Sequence, residues 1–269
     1  MTALVGCSGG EAAPDSLKFA VPPGEASNTL EEMRPVADVV EAATGLPVEL
    51  TQTSDYLAVT EAMRSGLVDV ALYSPMPTVV SRKVGNVEPV VAALGAPYKS
   101  DIICSPDADV DKLGDIAGKS IAFVDPGSTS GNYIPKLMLK NAGVDVEALD
   151  ATYAGGHDVS ALSVKKGSTD CAAVASLVLP DLVKSGTIAE SDYELVAESD
   201  PIPISLVVVV RGDLDPELKE QIRAAYLDSQ APEVLKVTGA TRFVPAEDAD
   251  WTMFEDAAQQ LGINLEQAK

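Results

Sequence analysis

Short apolar runs and amphipathic stretches alternate along this chain. Leu17 to Val21 is apolar enough for a strand, closed by Pro22-Pro23-Gly24. Leu30 to Ala43 has helical spacing, with Leu30, Met33, Val36, Ala37 and Val40 on one face. Gly45 stops that helix, and Pro47 to Thr51 reads as the next strand. A helix over Ser54 to Ser65, a strand over Val68 to Tyr73, a short helix over Thr78 to Val84 and a strand over Val87 to Leu94 follow. Strand and helix in alternation predict a parallel α/β sheet.

The rhythm then repeats. Strands are predicted over Asp101 to Ser105, Ser120 to Val124, Ala151 to Tyr153, Asp170 to Ala175 and Tyr193 to Glu198. Helices are predicted between them over Asp109 to Ile116, Ile134 to Asn141, Val159 to Lys166 and Leu179 to Ser185. Pro201-Ile202-Pro203 introduces Ile204 to Arg211, apolar enough to be buried on both faces. The remainder reads as helices over Pro216 to Ser229, Pro232 to Thr238 and Trp251 to Leu261, with Phe243-Val244-Pro245 between the last two. The expected organisation is two α/β lobes. Residues 17–99 plus 206–269 form lobe I, and residues 100–205 form lobe II. The chain leaves the first lobe near Tyr98 and returns near Pro203. Two crossings make a hinge, and the cleft between lobes is the expected place for a small ligand.

Composition narrows the function. The formal charge of −22 argues against nucleic acid and against an anionic membrane surface as partners. It also means that the overall field attracts no anion, so any anion site must work through short-range hydrogen bonds. No apolar run is long enough to span a membrane. Near the start, Leu4-Val5-Gly6-Cys7 has the form of a bacterial lipobox, in which Cys7 is lipidated. The basic and apolar regions of a signal peptide are missing before it, so the chain is expected to begin close to the processing site. Residues up to 16 read as a flexible leader behind that anchor. Cys104 and Cys171 lie in strand-like segments. An extracytoplasmic location permits a disulfide, but two buried free thiols are the simpler expectation.

Candidate chemistry centres on Asp125-Pro126-Gly127-Ser128-Thr129-Ser130-Gly131-Asn132-Tyr133-Ile134-Pro135, between a strand and a helix. Glycines free the backbone to point several N–H groups one way, hydroxyls add donors, and the helix start adds partial positive charge. A loop of this kind suits a small oxyanion. Taken alone, it could equally be a serine or threonine helix cap. No lysine follows the glycines, so it is not a nucleotide P-loop. His157, the only histidine, follows Gly155-Gly156 and precedes a helix, in a place matching that of the loop. Both fall where parallel strands end, the usual ligand-binding end of such sheets. Tyr56 and Tyr98 could each be core rings, or could each offer an O–H to the cleft. A serine hydrolase is disfavoured. The nucleophile-elbow pattern fails by one residue, and Asp158 adjoins His157 in sequence and does not stand behind it. No metal-ligand spacing is present, and no cofactor is expected.

Three segments carry a resemblance: Ser54-Asp55-Tyr56 through Tyr73-Ser74-Pro75, the stretch Ala122 to Pro135, and Ala154-Gly155-Gly156-His157-Asp158 through Val174. In this order they resemble the phosphate/phosphite/phosphonate-binding proteins of ABC importers, the PhnD type. The resemblance runs from about Leu17 to Arg211. It implies a two-lobed periplasmic-binding-protein fold, type II-like, that closes over its ligand, and no enzymatic activity. It also implies that Ser128, Thr129 and Ser130 hold a phosphorus oxyanion, that His157 donates from the same lobe, and that Tyr56 and Tyr98 reach in from the other lobe and the hinge. The partners it implies are a small phosphorus oxyanion and the permease subunits of an importer. The implied location is periplasmic, or tethered through Cys7 to the outer face of the cell membrane, and the implied state is a monomer. Relatives that take aminoethylphosphonate place carboxylates around the amine. This chain has Pro203-Ile204-Ser205 and Ser176-Leu177 there, which favours phosphite, a short alkylphosphonate or phosphate. Other small anions, such as sulfate or a carboxylate, and a sensor rather than a transport role remain open at this level.

Overall fold

The computed structural model describes residues 14–22, 30–82, 86–96, 98–263 and 265. The lipobox with Cys7, most of the leader and the Pro23-Gly24 stop lie outside the described residues. Among the described residues no helix is long and apolar enough to cross a membrane. The first run comprises β1 (Leu17–Val21), α1 (Arg34–Thr44), β2 (Val48–Gln52), α2 (Tyr56–Arg64), β3 (Val70–Tyr73), α3 (Pro75–Ser81) and β4 (Val87–Gly95). The second comprises β5 (Ser100–Cys104), β6 (Ser120–Phe123), α4 (Ile134–Asn141), β7 (Asp150–Tyr153), α5 (His157–Lys165), β8 (Cys171–Ala175), α6 (Val178–Lys184) and β9 (Glu194–Glu198). The chain ends with β10 (Leu206–Arg211), α7 (Pro216–Asp228), α8 (Pro232–Thr238), β11 (Ala240–Pro245) and α9 (Thr252–Gln260).

These strands form two sheets, ordered β11-β4-β10-β3-β1-β2 and β7-β6-β8-β5-β9. Each holds a parallel trio, β2-β1-β3 in one and β7-β6-β8 in the other. Neither sheet is purely parallel as the alternation predicted, because β10 and β5 run antiparallel to their neighbours. The route of the chain explains this. The chain passes between sheets at the end where the parallel strands finish, and a strand entering there must run the opposite way. The two connections lie side by side. Tyr98 and Ile202 form an antiparallel bridge, with the Ile202 N–H donating to the Tyr98 carbonyl over 2.8 Å. Beyond it, the Ser100 N–H donates to Ser199 Oγ over 2.9 Å.

Aliphatic side chains fill both cores, as the scarcity of aromatics requires. Val207 to Val210 of β10 are buried on both faces of the first sheet. Val208 and Val210 pack towards α1 and α7 with Val36, Ile222 and Tyr226, and Val207 and Val209 pack with Val59, Met76 and Phe254. Several local expectations are corrected. The helix predicted over Asp109 to Ile116 is reduced to one turn of 3-10 helix over Leu113–Ile116; a separate turn over Pro106–Ala108 ends at Asp109, which takes a left-handed conformation at φ 51°. The stretch around Phe243 is the edge strand β11, which the proline at its end had obscured. Helix α3 starts at Pro75, where a missing N–H costs nothing. Cys104 and Cys171 are not free thiols. The β5–β8 register sets them directly opposite each other, and their sulfurs are bonded at 2.01 Å.

Candidate anion site between the two sheets

Of the residues singled out by sequence, all but Tyr98, which follows β4, follow strands of the two parallel trios. Tyr56 comes after β2, and Ser74, which the sequence did not single out, comes after β3. Residues 124–131 follow β6, and His157 follows β7. The loops after β6 and β7 are joined, because the N–H groups of Ala154 and Gly155 donate to the carbonyls of Phe123 and Val124. The end of β8 joins them through His157, whose Nδ1 accepts the Ala175 N–H over 2.9 Å.

That bond settles the chemistry of the imidazole. With Nδ1 accepting, the neutral ring carries its hydrogen on Nε2. His157 is buried, and burial pushes its pKa down to about 4, so the ring is neutral at pH 7. Among the described residues nothing accepts a hydrogen bond from Nε2. The buried side chain is therefore an N–H donor that the protein itself does not use.

The loop from Asp125 is shaped by its own hydrogen bonds. Asp125 Oδ1 accepts the Gly127 N–H over 2.7 Å, and burial raises the carboxyl's pKa above the ordinary carboxylate range. Ser128 Oγ accepts the Gly131 N–H over 3.0 Å, capping a wide, π-helical turn over Thr129–Tyr133 that runs into α4. The capping role expected of a serine here is thus real, but it uses only the acceptor side of Ser128. The Ser128 O–H remains available as a donor. The Ser130 carbonyl is held by Ser100, and its hydroxyl has no other partner among the described residues. Gly131 must be glycine, since a Cβ there would stand 2.4 Å from the Val124 side chain.

The loop also touches the first sheet's unit. A Cβ on Gly127 would stand 2.3 Å from Tyr56 Cβ, so the two segments are in direct contact. Tyr56 and Tyr98 are buried in one apolar cluster with Tyr73, Met76 and Ile202, and this cluster includes Ile134 and Ala175 of the second unit. All six predicted side chains are therefore buried around one seam between the units. Sequence reasoning missed Ser74, Ser100 and Asn132. Ser74 binds Thr129, and Asn132 Nδ2 donates to the Pro126 carbonyl over 2.6 Å. The Ser-Pro step at 74–75 was the available signal for Ser74, Asn132 lay inside the loop already singled out without a role of its own, and nothing local marked Ser100.

Residues 19–251 match the model of the family described as the phosphonate-binding, periplasmic substrate-binding protein of ABC transporters. The chain belongs to this family. A curated member, the phosphate-import protein PhnD of Mycolicibacterium smegmatis, is 34% identical over 233 residues, covering 80% of this chain and 72% of that protein. Among solved structures, PhnD1 of Prochlorococcus marinus in complex with methylphosphonate aligns with a TM-score of 0.80 at 19% identity, covering 93% of this chain and 99% of that one. A binding-protein component of the ABC phosphonate transporter of Pseudomonas aeruginosa aligns at 0.73 with 24% identity, covering 86% and 81%. Family members of this kind are two-lobed, and the two sheets seen here are those of the type II-like fold.

Proposed function

We propose that this family member captures a small phosphorus oxyanion (phosphite, a short alkylphosphonate such as methylphosphonate, or phosphate) and delivers it to the permease of an ABC importer. The observation that carries the proposal is the unshared Nε2–H on the buried side chain of His157, beside a loop with free hydroxyls at Ser128 and Ser130. A desolvated oxyanion needs several such donors at once. Tyr56 and Tyr98 border the same seam from the first unit and the hinge, and Thr129 holds the loop to the first unit. Lobe I is taken as residues 17–99 plus 206–269 and lobe II as 100–205, in keeping with the two sheets. Tethering at Cys7 on the outer face of the membrane, and a monomeric state, complete the proposal.

The small tail is supported by two observations. Ser176 Oγ accepts the Lys99 N–H over 2.9 Å, and Ser205 Oγ lies 3.1 Å from the Ala93 carbonyl. Both serines serve the framework, and neither position offers a carboxylate to an ammonium. Catalysis is not proposed, because Nδ1 of His157 takes an amide hydrogen and has no carboxylate behind it.

Thermal unfolding with phosphite, methylphosphonate, aminoethylphosphonate, phosphate and sulfate tests this. Ligand at a hundred times Kd stabilises by about 2.7 kcal/mol. The expected result is a rise in Tm with one or more of phosphite, methylphosphonate and phosphate, and none with aminoethylphosphonate. No shift with any phosphorus compound refutes the proposal, and a shift with sulfate alone reassigns the ligand.

A further inference from the structure

Thr129 sits in the middle of the hydroxyl loop, yet its polar atoms turn to the other unit. Its Oγ1 lies 2.5 Å from Ser74 Oγ and accepts the Met76 N–H over 3.0 Å. Its own N–H donates to Ser74 Oγ over 3.3 Å. Ser74 and Thr129 are both buried. Four bonding groups from two sheets, 55 residues apart in sequence, thus meet without solvent between them.

Counting hydrogens shows what this pair can do. The two hydroxyls bring two hydrogens, and one of these is spent on the bond between them. If Thr129 donates to Ser74, the Ser74 hydrogen is left over. If Ser74 donates to Thr129, the Thr129 hydrogen is left over. The amides of Met76 and Thr129 are donors and cannot receive it. No other acceptor among the described residues bonds to either hydroxyl. A buried O–H without an acceptor is unfavourable.

We propose that Ser74 and Thr129 form a clasp between the lobes that is complete only when an oxyanion is enclosed, because the anion accepts the one hydroxyl hydrogen the clasp leaves over. Ser74 is then a positioning residue of the site contributed by lobe I. It makes closure conditional on an acceptor being present. This rests on the phosphorus-oxyanion reading of the site and adds to it a residue and a coupling.

Calorimetric titration of phosphate, phosphite and methylphosphonate into wild type, Ser74→Ala, Thr129→Val and the double variant tests the clasp. Each single variant is expected to bind the preferred anion about tenfold to a hundredfold more weakly, the worth of one hydrogen bond to a charged group. The double variant is expected to lose little more than the worse single one, since the two act as a unit. Unchanged binding by Ser74→Ala, or losses that simply add, overturns the clasp while leaving the ligand assignment intact. If wild type binds none of the three anions, the ligand assignment has failed, and a second measurement reads the clasp alone. In a Cys7→Ser background, Ser74→Cys with Thr129→Cys is expected to form a cross-link between lobes on oxidation. A pair that stays reduced shows that the two positions do not meet in solution and overturns the proposal.

Discussion

The hydroxyl of Ser100 donates to the carbonyl of Ser130 over 2.6 Å, and this bond runs from the hinge to the anion loop. Ser100 is the first residue of β5, and its N–H is already tied to Ser199 in the returning connection. The loop is thereby fixed to the paired connections that join the two units. Ser100→Ala leaves a buried carbonyl without its partner. The expected cost is about 1–3 kcal/mol of stability, read by urea denaturation. Weaker anion binding is expected with it, because the loop loses its fixed reference to the hinge.

Gly127 tests the closeness of the seam. A methyl group there meets Tyr56 Cβ at 2.3 Å, a contact that neither backbone can relieve while the units stay together. Gly127→Ala is expected to fold normally but to hold the lobes apart. Small-angle scattering with saturating ligand is expected to show a larger radius of gyration than wild type, and affinity is expected to fall at least about tenfold, the range of a core overpacking cost. A variant that closes and binds like wild type would show that Tyr56 and Gly127 do not meet.

Two buried groups should bend the stability profile in opposite senses. His157 titrates at about 4 when folded against an ordinary 6.5, so between those values the unfolded chain takes a proton that the folded chain refuses. Its contribution therefore erodes as pH falls through that window, and His157→Gln should remove this acid loss. Asp101, buried at the start of β5 with Oδ1 unpartnered among the described residues, is raised to about 6 by burial and by Glu198, against an ordinary 3.8. Here the folded chain takes the proton first, so stability rises as pH falls between those values. Asp101→Asn should stabilise the protein above about pH 6 and lose its advantage towards pH 4. Denaturation curves at several pH values check both signs. Affinity for the anion should show no step near pH 6.5, because His157 donates as a neutral ring throughout.

The Cys104–Cys171 bridge joins β5 to β8 at the end of the strands away from the hinge, where Ser100 stands opposite Ala175. Reduction should lower stability by about 2–5 kcal/mol, a drop in Tm of several degrees for a chain of this size. Ligand affinity should change little, since the site lies at the other end of the same strands. Unfolding scans with and without reductant, alongside a titration of the reduced protein, separate the two effects.

Much of this was legible in the sequence. The alternation of strands and helices gave nearly every element, because burial on one face or both writes itself into local periodicity. The loop at Asp125 to Pro135 and His157 stood out because both sit at strand ends beside glycines, although a helix cap or a packing imidazole would have left the same local pattern. What stayed hidden depends on register and on contacts between distant segments. That Cys104 faces Cys171 is a fact about the β5–β8 pairing and not about either segment. Ser74 and Ser100 look like ordinary polar residues until the chain brings Thr129 and Ser130 against them. The same holds for the helix expected over Asp109 to Ile116, where Asp109 instead closes the preceding turn in a left-handed conformation and only Leu113–Ile116 coils.

The bridge between Tyr98 and Ile202 has a mechanical consequence. Two separate strings would let the halves slide, twist and swing. Stitched together at Tyr98–Ile202 and again at Ser100–Ser199, they act as a single leaf that can bend but not shear. On the proposed function, opening and shutting then follow one path, like a book along its spine. An enclosed anion is expected to leave by reversing that path, at a pace set by the unbending of the spine.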